Sequence, residues 1–298
     1  MRIASRTLQD DIVRQIQQLG TSQARLQAQV ATGQRITRPE DDPAAAGRVL
    51  NHQSDLRRVD QFTRNADRAL ALSQASFSGL TNLKKLSDRA GEIATLGQGA
   101  ASAEAMDAYA AEVNQLLEQM LQLGNAKLGN DHLFAGAQVD AAPFAATRDA
   151  QGRITAVAYA GDAVQTAIPL SDTASVSPFT SGATNAGVRD LMNELVALRD
   201  ALSARDPAAV SAAQAGLVAG EDLLVSALAE HGAVQLRIEV NRAQQQAHGD
   251  DIVKLVTTET SVDLPDAIVR LNQAQTAYQA ALQSSANIMQ LSLLDYIR

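Results

Sequence analysis

The sequence contains no cysteine, and this absence excludes disulfides, thiolate metal sites and thiol catalysis. Tryptophan is absent as well, and aromatic residues make up only 3% of the 298 residues. A compact enzyme of this length normally buries more large rings in its core and its pocket. The composition therefore favours long, thin helices that pack at close range.

Strong positive charge and long apolar runs are also missing. The formal net charge is -8 and the isoelectric point is near 5.0, with no basic run to offset this balance. We therefore expect no nucleic-acid partner. No stretch approaches the ~18 consecutive apolar residues of a membrane span, so we expect no membrane insertion. Asp10 and Asp11 stand where a cleaved signal peptide would have its apolar core. If the protein leaves the cytoplasm, the export apparatus must recognise an N-terminus that is not cleaved.

Residue patterns that carry chemistry are lacking too. The four histidines are scattered without a His-x-x-x-His pair and are expected to be surface or core residues: His52, His132, His231 and His248. Gly97-Gln98-Gly99 lacks the third glycine and the preceding strand of a phosphate-binding loop. The acidic triplet Glu40-Asp41-Asp42 could bind a hard cation, but helix capping explains it with nothing extra. We expect no catalytic residue, no metal, no cofactor and no enzymatic activity.

An apolar seam is present at each end of the chain. In residues 262–298 the seam advances in alternating steps of four and three, which is the a/d spacing of a coiled coil: Leu264, Ile268, Leu271, Gln275, Tyr278, Leu282, Ser285, Met289, Ser292 and Tyr296. The opening stretch repeats this spacing in Leu8, Ile12, Ile16, Leu19, Gln23, Leu26 and Val30. Each stretch carries one apolar stripe on a polar surface, so neither is expected to be stable alone in water. The two stripes must pair with each other or with another copy of the protein.

Two connectors flank these terminal helices. The first helix is predicted over about 5–31 and ends at Gly33, which suits a left-handed C-cap. Asp42-Pro43 restarts a helix, because the carboxylate caps free N–H groups and proline fits the first helical position. Thr37-x-x-Glu40 also matches a capping box. A second connector is predicted at 261–265, and a chain that goes out and returns would place both connectors side by side.

The middle of the chain predicts further long helices, interrupted by a β-prone segment. Helical patterns cover about 44–96, 103–124, 188–204 and 207–260, whereas glycines, prolines and short β-prone runs alternate between 134 and 181. We predict a mainly α protein, an elongated antiparallel helical rod or coiled coil with a small β-rich insertion domain of three or four strands at its tip. The predicted division is an N-terminal assembly helix at 1–40 that pairs with 262–298, an outgoing rod at 41–132, the insertion at 133–184, a returning rod at 185–261 and a C-terminal assembly helix at 262–298.

Several motifs, taken in this order and at this spacing, resemble the bacterial flagellin-like family. They are Thr32-Gly33-Gln34-Arg35-Ile36, Asp41-Asp42-Pro43-Ala44-Ala45, Asn65, Leu133-Phe134-Ala135-Gly136, Pro143-Phe144 and Tyr159-Ala160-Gly161-Asp162. The start Met1-Arg2-Ile3 and the ending Leu291-Ser292-Leu293-Leu294-Asp295-Tyr296-Ile297 are most similar to the hook–filament junction branch of that family, the hook-associated protein 3 group. The resemblance covers both ends and the start of the insertion, while 145–255 carry little signature beyond helicity.

The resemblance implies a structural role in the bacterial flagellum. It implies a self-assembling adaptor, arranged as a ring of subunits, that joins the hook through hook-associated protein 1 to the flagellin filament. It also implies export by the flagellar type III system without a cleaved signal peptide, an extracellular location, and an export chaperone that binds the C-terminal segment. The terminal segments would be disordered in the monomer and form a coiled coil on assembly. The seams provide a physical cause, because an unpartnered stripe cannot offset the entropy of ordering its helix.

Two sets of residues are expected to carry this role. The assembly interface is predicted at Leu8, Ile12, Ile16, Leu19, Leu26, Val30, Leu271, Tyr278, Leu282, Met289, Leu293, Leu294 and Tyr296. The connector and capping residues are predicted to be Gly33, Asp41, Asp42 and Pro43. Two alternatives stay open on the sequence alone: a flagellin, which is the filament subunit itself, and a soluble helical-bundle scaffold or signalling protein that is not exported.

Overall fold

The computed structural model describes the backbone of residues 2–99 and 102–297 and the side chains of 10–99 and 102–287. Its helices are α1 (Arg2–Thr32), α2 (Pro43–Gln98), α3 (Ala103–Gly124), α4 (Gly182–Ala204), α5 (Pro207–Thr260) and α6 (Leu264–Ile297). The chain divides into two compact units, one formed by 1–58 with 249–298 and the other by 59–248. Long helices dominate both units, as the sequence predicts.

The helices begin where a polar side chain caps their first N–H groups. Asp42 Oδ1 accepts from Ala45 N at 3.0 Å at the start of α2, and Asp206 Oδ1 accepts from two N–H groups at the start of α5. α4 begins at Gly182, six residues before the predicted start, because Ser181 serves as its N-cap and accepts from Thr184 N. Serine is one of the residue types that helix starts prefer, so this cap is a local signal that the predicted start at 188 did not include.

The described strands form three separate antiparallel pairs, which is six strands where three or four were predicted. The pairs are β1 (Lys127–Leu128) with β2 (Asp131–His132), β3 (Phe144–Arg148) with β4 (Ile154–Tyr159), and β5 (Ile168–Pro169) with β6 (Ser175–Val176). They start at 127, before the predicted boundary of 133. β3 lies within the predicted β-prone segment, although its sequence Phe-Ala-Ala-Thr-Arg is rich in alanine and lacks the β-branched run typical of a strand.

The β3–β4 pair is held against α3 and α4 by polar side chains. The Asn193 amide bonds both backbone groups of Val157, with its Oδ1 accepting at 2.8 Å and its Nδ2 donating at 3.0 Å. Arg199 is buried and donates to Ile154 O at 2.6 Å. These bonds satisfy backbone groups that the short two-stranded pair leaves free. The core of this unit lies between α2, α3, α4 and α5, and its fully buried side chains include Leu80, Ile93, Leu117, Phe134, Leu195 and Leu198.

Part of the long helix α5 is strongly apolar. It contains an 18-residue window with a mean hydropathy of 1.3, so by length and composition alone it is apolar enough to cross a membrane. Only 22% of that window is buried inside the structure. α5 reaches this hydropathy without the unbroken apolar run that the sequence lacks, because alanine and valine spread along a helix raise the mean hydropathy.

The buried His231 provides a pH-dependence prediction for the unit formed by 59–248. Its Nδ1 lies 3.4 Å from Ser73 Oγ, and burial lowers the pKa of the imidazole below its usual value. The unfolded chain therefore takes up a proton at a higher pH than the folded chain does. Stability is complete above the unfolded pKa of about 6.5 and falls as pH drops from there to the folded pKa, by at most about 1.4 kcal/mol per pH unit.

We expect the urea midpoint of the His231→Gln variant to fall less between pH 7.5 and pH 5 than that of the unchanged protein. Carboxylates also lose stability in acid, so only the difference between the two proteins reports on His231. His248→Gln, at an exposed position, is the matched control and should keep the original pH dependence. Equal acid losses in all three proteins would contradict the assignment.

Candidate assembly interface

The two terminal helices pack against each other within the unit formed by 1–58 and 249–298. On α1 the half-buried residues recur at the predicted spacing: Ile12, Ile16, Leu19, Gln23, Leu26 and Val30. A Cβ placed on Gly20 would lie 3.5 Å from a ring carbon of Tyr278, so α1 passes close to that ring. The α1 stripe therefore meets α6 within a single chain.

α6 buries or half-buries four residues of its predicted seam, Leu271, Gln275, Tyr278 and Ser285, together with three alanines. Its buried or half-buried residues are Ala267, Leu271, Ala274, Gln275, Tyr278, Ala281 and Ser285. The predicted seam residues Leu264, Ile268 and Leu282 instead stay 43%, 45% and 43% exposed. Ala267, Ala274 and Ala281 allow α1 to pack closely against this side. At about 100° of rotation per residue, Leu264, Ile268 and Leu282 lie on the flank of the same side, next to Leu271 and Gln275.

The three exposed residues Leu264, Ile268 and Leu282 are hereafter called the open stripe. Val269 of the same helix is also 54% exposed. Apolar side chains that recur along one side of a helix and find no partner in their own chain mark an interaction surface. The open stripe therefore contains Leu282 of the predicted interface and two further residues of the predicted seam, Leu264 and Ile268, all of them partly exposed in the single chain.

The two connectors bind each other through their backbones. Gln34 and Ser261 form an antiparallel bridge. Arg35 N donates to Thr260 O at 2.7 Å, and Val262 N donates to Gly33 O at 3.0 Å. Gly33 has a φ of +70°, the left-handed conformation predicted for the residue that ends α1. These bonds join the connector that precedes α2 to the connector that precedes α6.

Ionic contacts reinforce this connector pair. Arg48 makes a bidentate contact with Glu259, at 2.9 Å from Nε to Oε1 and 2.8 Å from Nη2 to Oε2. Arg35 contacts Asp42 Oδ2 at 3.1 Å and donates to Glu259 O at 3.0 Å. The hydrogen bond from Arg48 lowers the pKa of Glu259, and the Ala45 N–H and Arg35 lower the pKa of Asp42. The acidic groups therefore stay charged well below neutral pH.

The Glu40-Asp41-Asp42 triplet uses two of its carboxylates in backbone bonds. Asp41 Oδ2 accepts from Thr37 N at 3.1 Å and from Arg38 N at 2.9 Å, and these bonds lower its pKa. Glu40 contacts Arg38 instead of returning to a helix N-terminus, so the predicted Thr37-x-x-Glu40 capping box does not form. Among the side chains that the structure describes, no group of three or more His, Asp and Glu is placed to hold a metal ion.

Sequence reasoning missed Arg48 and Glu259, because they are 211 residues apart and each is an ordinary charged residue on a helix. Arg35 entered the sequence analysis only as part of a resemblance motif. No signal in a single sequence marks such a pair. The predicted residues Leu8, Met289, Leu293, Leu294 and Tyr296 lie outside the side chains that the structure describes.

The first part of the chain is similar to the N-terminal region of bacterial flagellins. A sequence model of the bacterial flagellin N-terminal helical region matches residues 3–139. The predicted resemblance to the flagellin-like family is therefore confirmed, and the predicted mainly helical fold with a small strand-containing region is confirmed by the solved structures that follow.

The particular relatives are hook-associated proteins. The chain is 26% identical over 148 residues to flagellar hook-associated protein 3 of Salmonella typhimurium, which is 48% of this chain and 46% of the relative. It thus spans about half the length of that curated relative. A putative flagellar hook-associated protein from Vibrio parahaemolyticus matches with a TM-score of 0.66 at 14% identity, over 74% of this chain and 100% of that structure.

Two other solved structures share the fold. FlgL from Bacillus cereus matches with a TM-score of 0.60 at 18% identity, over 70% of this chain and 99% of that structure. The flagellar junction protein FlgL from Legionella pneumophila matches with a TM-score of 0.52 at 12% identity, over 73% of this chain and 100% of that structure. At these identities the structures establish the fold.

Proposed function

We propose that this protein is a structural component of the bacterial flagellum, a self-assembling adaptor that joins the hook to the flagellin filament. The similarity to flagellar hook-associated protein 3 favours this role over that of a flagellin. The observation that carries the proposal is the open stripe, which α6 leaves 43–45% exposed on the flank of the side that packs against α1. A protein that stays monomeric gains nothing from apolar residues in this position.

The open stripe would be covered by neighbouring subunits in a ring. In coiled coils of more than two helices, each helix uses a second face to contact a further helix. The helices α1 and α6 of one copy can therefore pack against α1 and α6 of the next copy. The connector pair would hold the α1–α6 pair in a defined position, because its backbone bridge and its ionic contacts join the two segments at one point. The interface would thus consist of the open stripe together with the predicted residues at both ends of the chain.

The remaining partners follow from this role. The adaptor would contact hook-associated protein 1 on one side and the first flagellin subunits on the other. An export chaperone would cover the C-terminal stripe before export, since an uncovered stripe in the cytoplasm invites aggregation. Export would proceed through the flagellar type III apparatus without cleavage, and the protein would be extracellular in the finished flagellum. We propose a role without enzymatic chemistry.

The test is to delete the gene in its source bacterium, image the cell surface and assay the medium for flagellin. Bare hooks with flagellin released into the medium are the expected result, because filament subunits are exported but have no base on which to grow. Bare hooks with the major flagellin missing from the medium would show that this chain is that flagellin. Unchanged filaments, in a strain shown to lack a second copy, would refute the junction role and leave the helical-bundle alternative.

A further inference from the structure

The outer side of α5 carries a second exposed apolar surface, distinct from the open stripe. Within the unit formed by 59–248, Val218, Val225, Leu236 and Val240 are 54%, 48%, 62% and 60% exposed. They lie on one side of the helix, since their spacings of 7, 11 and 4 residues are close to whole turns. Ile238, on the opposite side, is fully buried in the chain's own core.

Gly232 interrupts this surface without a reason inside the chain. A Cβ at this position would meet no atom within 4 Å, and glycine inside a helix costs about 1 kcal/mol relative to alanine. A residue without a side chain next to Leu236 allows another backbone to approach closely. The exposed surface of α5 is thus shaped for a partner outside the chain.

A matching cavity lies on α2 in the same unit. It has a volume of about 420 Å³ and is lined by Ala71, Leu72 and Leu128, with Arg68, Asn130 and Asp131 among the residues around it. Leu128, in the β1–β2 pair, is 40% exposed there. An exposed apolar side chain and a separate apolar cavity on the same molecule form a head-to-tail contact between identical copies.

Leu236 and the cavity lie at the same level along the axes of α2 and α5. Arg242 contacts Asp67 at 3.2 Å, and Gln235 donates to Ser73 O at 3.3 Å. These two contacts tie 235–242 of α5 to 67–73 of α2, the segments that carry Leu236 and the cavity. If neighbouring copies are related by a rotation without a shift along the direction of these helices, Leu236 of one copy lies at the level of the cavity of the next.

One pair of charges beside the two surfaces is of opposite sign, whereas the exposed Arg237 beside Leu236 has the same sign as Arg68 of the cavity, which pairs with Asp131 in its own chain. Glu239, next to Val240, makes no ion pair with any side chain that the structure describes, and neither does Arg64, whose hydrogen bond goes to Gln61. Arg64 lies one turn before Arg68 at the edge of the cavity. With no shift along the axis, Glu239 of one copy would lie about one and a half helical turns from Arg64 of the next, a distance that these two long side chains can span, and such a pair favours a second copy over an unrelated partner.

We propose that Leu236 and Val240 of one copy pack into the cavity lined by Ala71, Leu72 and Leu128 on the next copy. This contact rests on the proposed function, which provides the ring of subunits. It adds a lateral interface in the unit formed by 59–248, separate from the one made by the terminal helices.

The absence of cysteine allows a direct crosslinking test. Leu236→Cys and Ala71→Cys are combined in one chain, produced in the deletion strain, and the isolated flagella are oxidised. The expected result is a ladder of dimers and larger species on a non-reducing gel. Each single variant alone should give no crosslink. A disulfide within one chain, which would leave the band at monomer mass, would overturn the proposal.

A charge substitution provides a second readout. Leu236→Asp should fold normally, because this side chain is 62% exposed, but it should lose incorporation into flagella. Val164→Asp, at a site that is 64% exposed, is the matched control and should be incorporated like the unchanged protein. If flagella require the gene but no ladder forms and Leu236→Asp is incorporated normally, the lateral contact is wrong while the junction role stands. If flagella form without the gene, the proposed function itself fails.

Discussion

A Leu282→Asp variant is expected to be folded and exported but excluded from the flagellum. Leu282 is 43% exposed in the single chain, so an aspartate there keeps its hydration and leaves the α1–α6 pair intact. In an assembled ring the same carboxylate would be buried between apolar side chains. That burial costs about 3 kcal/mol or more, which weakens the contact roughly a hundredfold.

The measurement compares circular dichroism of the purified variant, its amount in the medium and its amount in isolated flagella. Gln283→Asp is the matched control, because it adds the same charge at a neighbouring exposed position of α6 that lies off the open stripe. We expect the control to restore filaments in the deletion strain and Leu282→Asp to leave bare hooks. Normal filaments from Leu282→Asp would show that the open stripe is not an assembly surface.

Gly136→Ala is expected to destabilise the unit formed by 59–248 by roughly 3–5 kcal/mol. Gly136 has a φ of +66°, and a Cβ there would lie 2.2 Å from the carbonyl oxygen of Asp162. The neighbouring backbone cannot move away easily, because Asp162 N donates to Ala135 O at 3.0 Å. The cost combines a left-handed non-glycine residue with an overlap against backbone atoms.

Gly152→Ala separates these two causes. Gly152 also has a positive φ, +81°, but a Cβ there would meet nothing within 4 Å. Its expected cost is therefore only about 1 kcal/mol, from the left-handed conformation alone. Urea unfolding of both variants measures the difference. Equal losses of unfolding free energy in the two variants would mean that the backbone at Asp162 moves away from residue 136 without strain.

The close approach of the backbone at Gly136 to the backbone at Asp162 explains why the Leu133-Phe134-Ala135-Gly136 motif and the Tyr159-to-Asp162 motif occur together. Tyr159 Oη donates to either Phe134 O at 3.1 Å or Asp162 O at 3.2 Å, and Asn185 Nδ2 donates to Tyr159 Oη at 3.0 Å. Phe134 is fully buried. The two motifs, quoted from the sequence only as a resemblance, therefore form one packed junction in the structure.

The sequence by itself determined the features that depend on neighbouring residues. Helices end and begin close to the predicted positions, because Gly33 and the Asp-Pro pairs act within one turn of the chain. The apolar spacing of the terminal helices is equally local, and it correctly marked the buried line of α1. The five-part division and the assembly roles of the predicted residues stay predictions.

Only the tertiary structure decided which side of α6 meets α1. The buried side keeps Leu271, Gln275, Tyr278 and Ser285 of the predicted seam, but close packing adds Ala267, Ala274 and Ala281 and leaves Leu264, Ile268 and Leu282 at its edge. The Arg48–Glu259 contact, the strand pairs and the cavity beside Leu128 likewise join residues far apart in the chain. Such contacts depend on the rotation and register of whole helices, which no short stretch of sequence encodes.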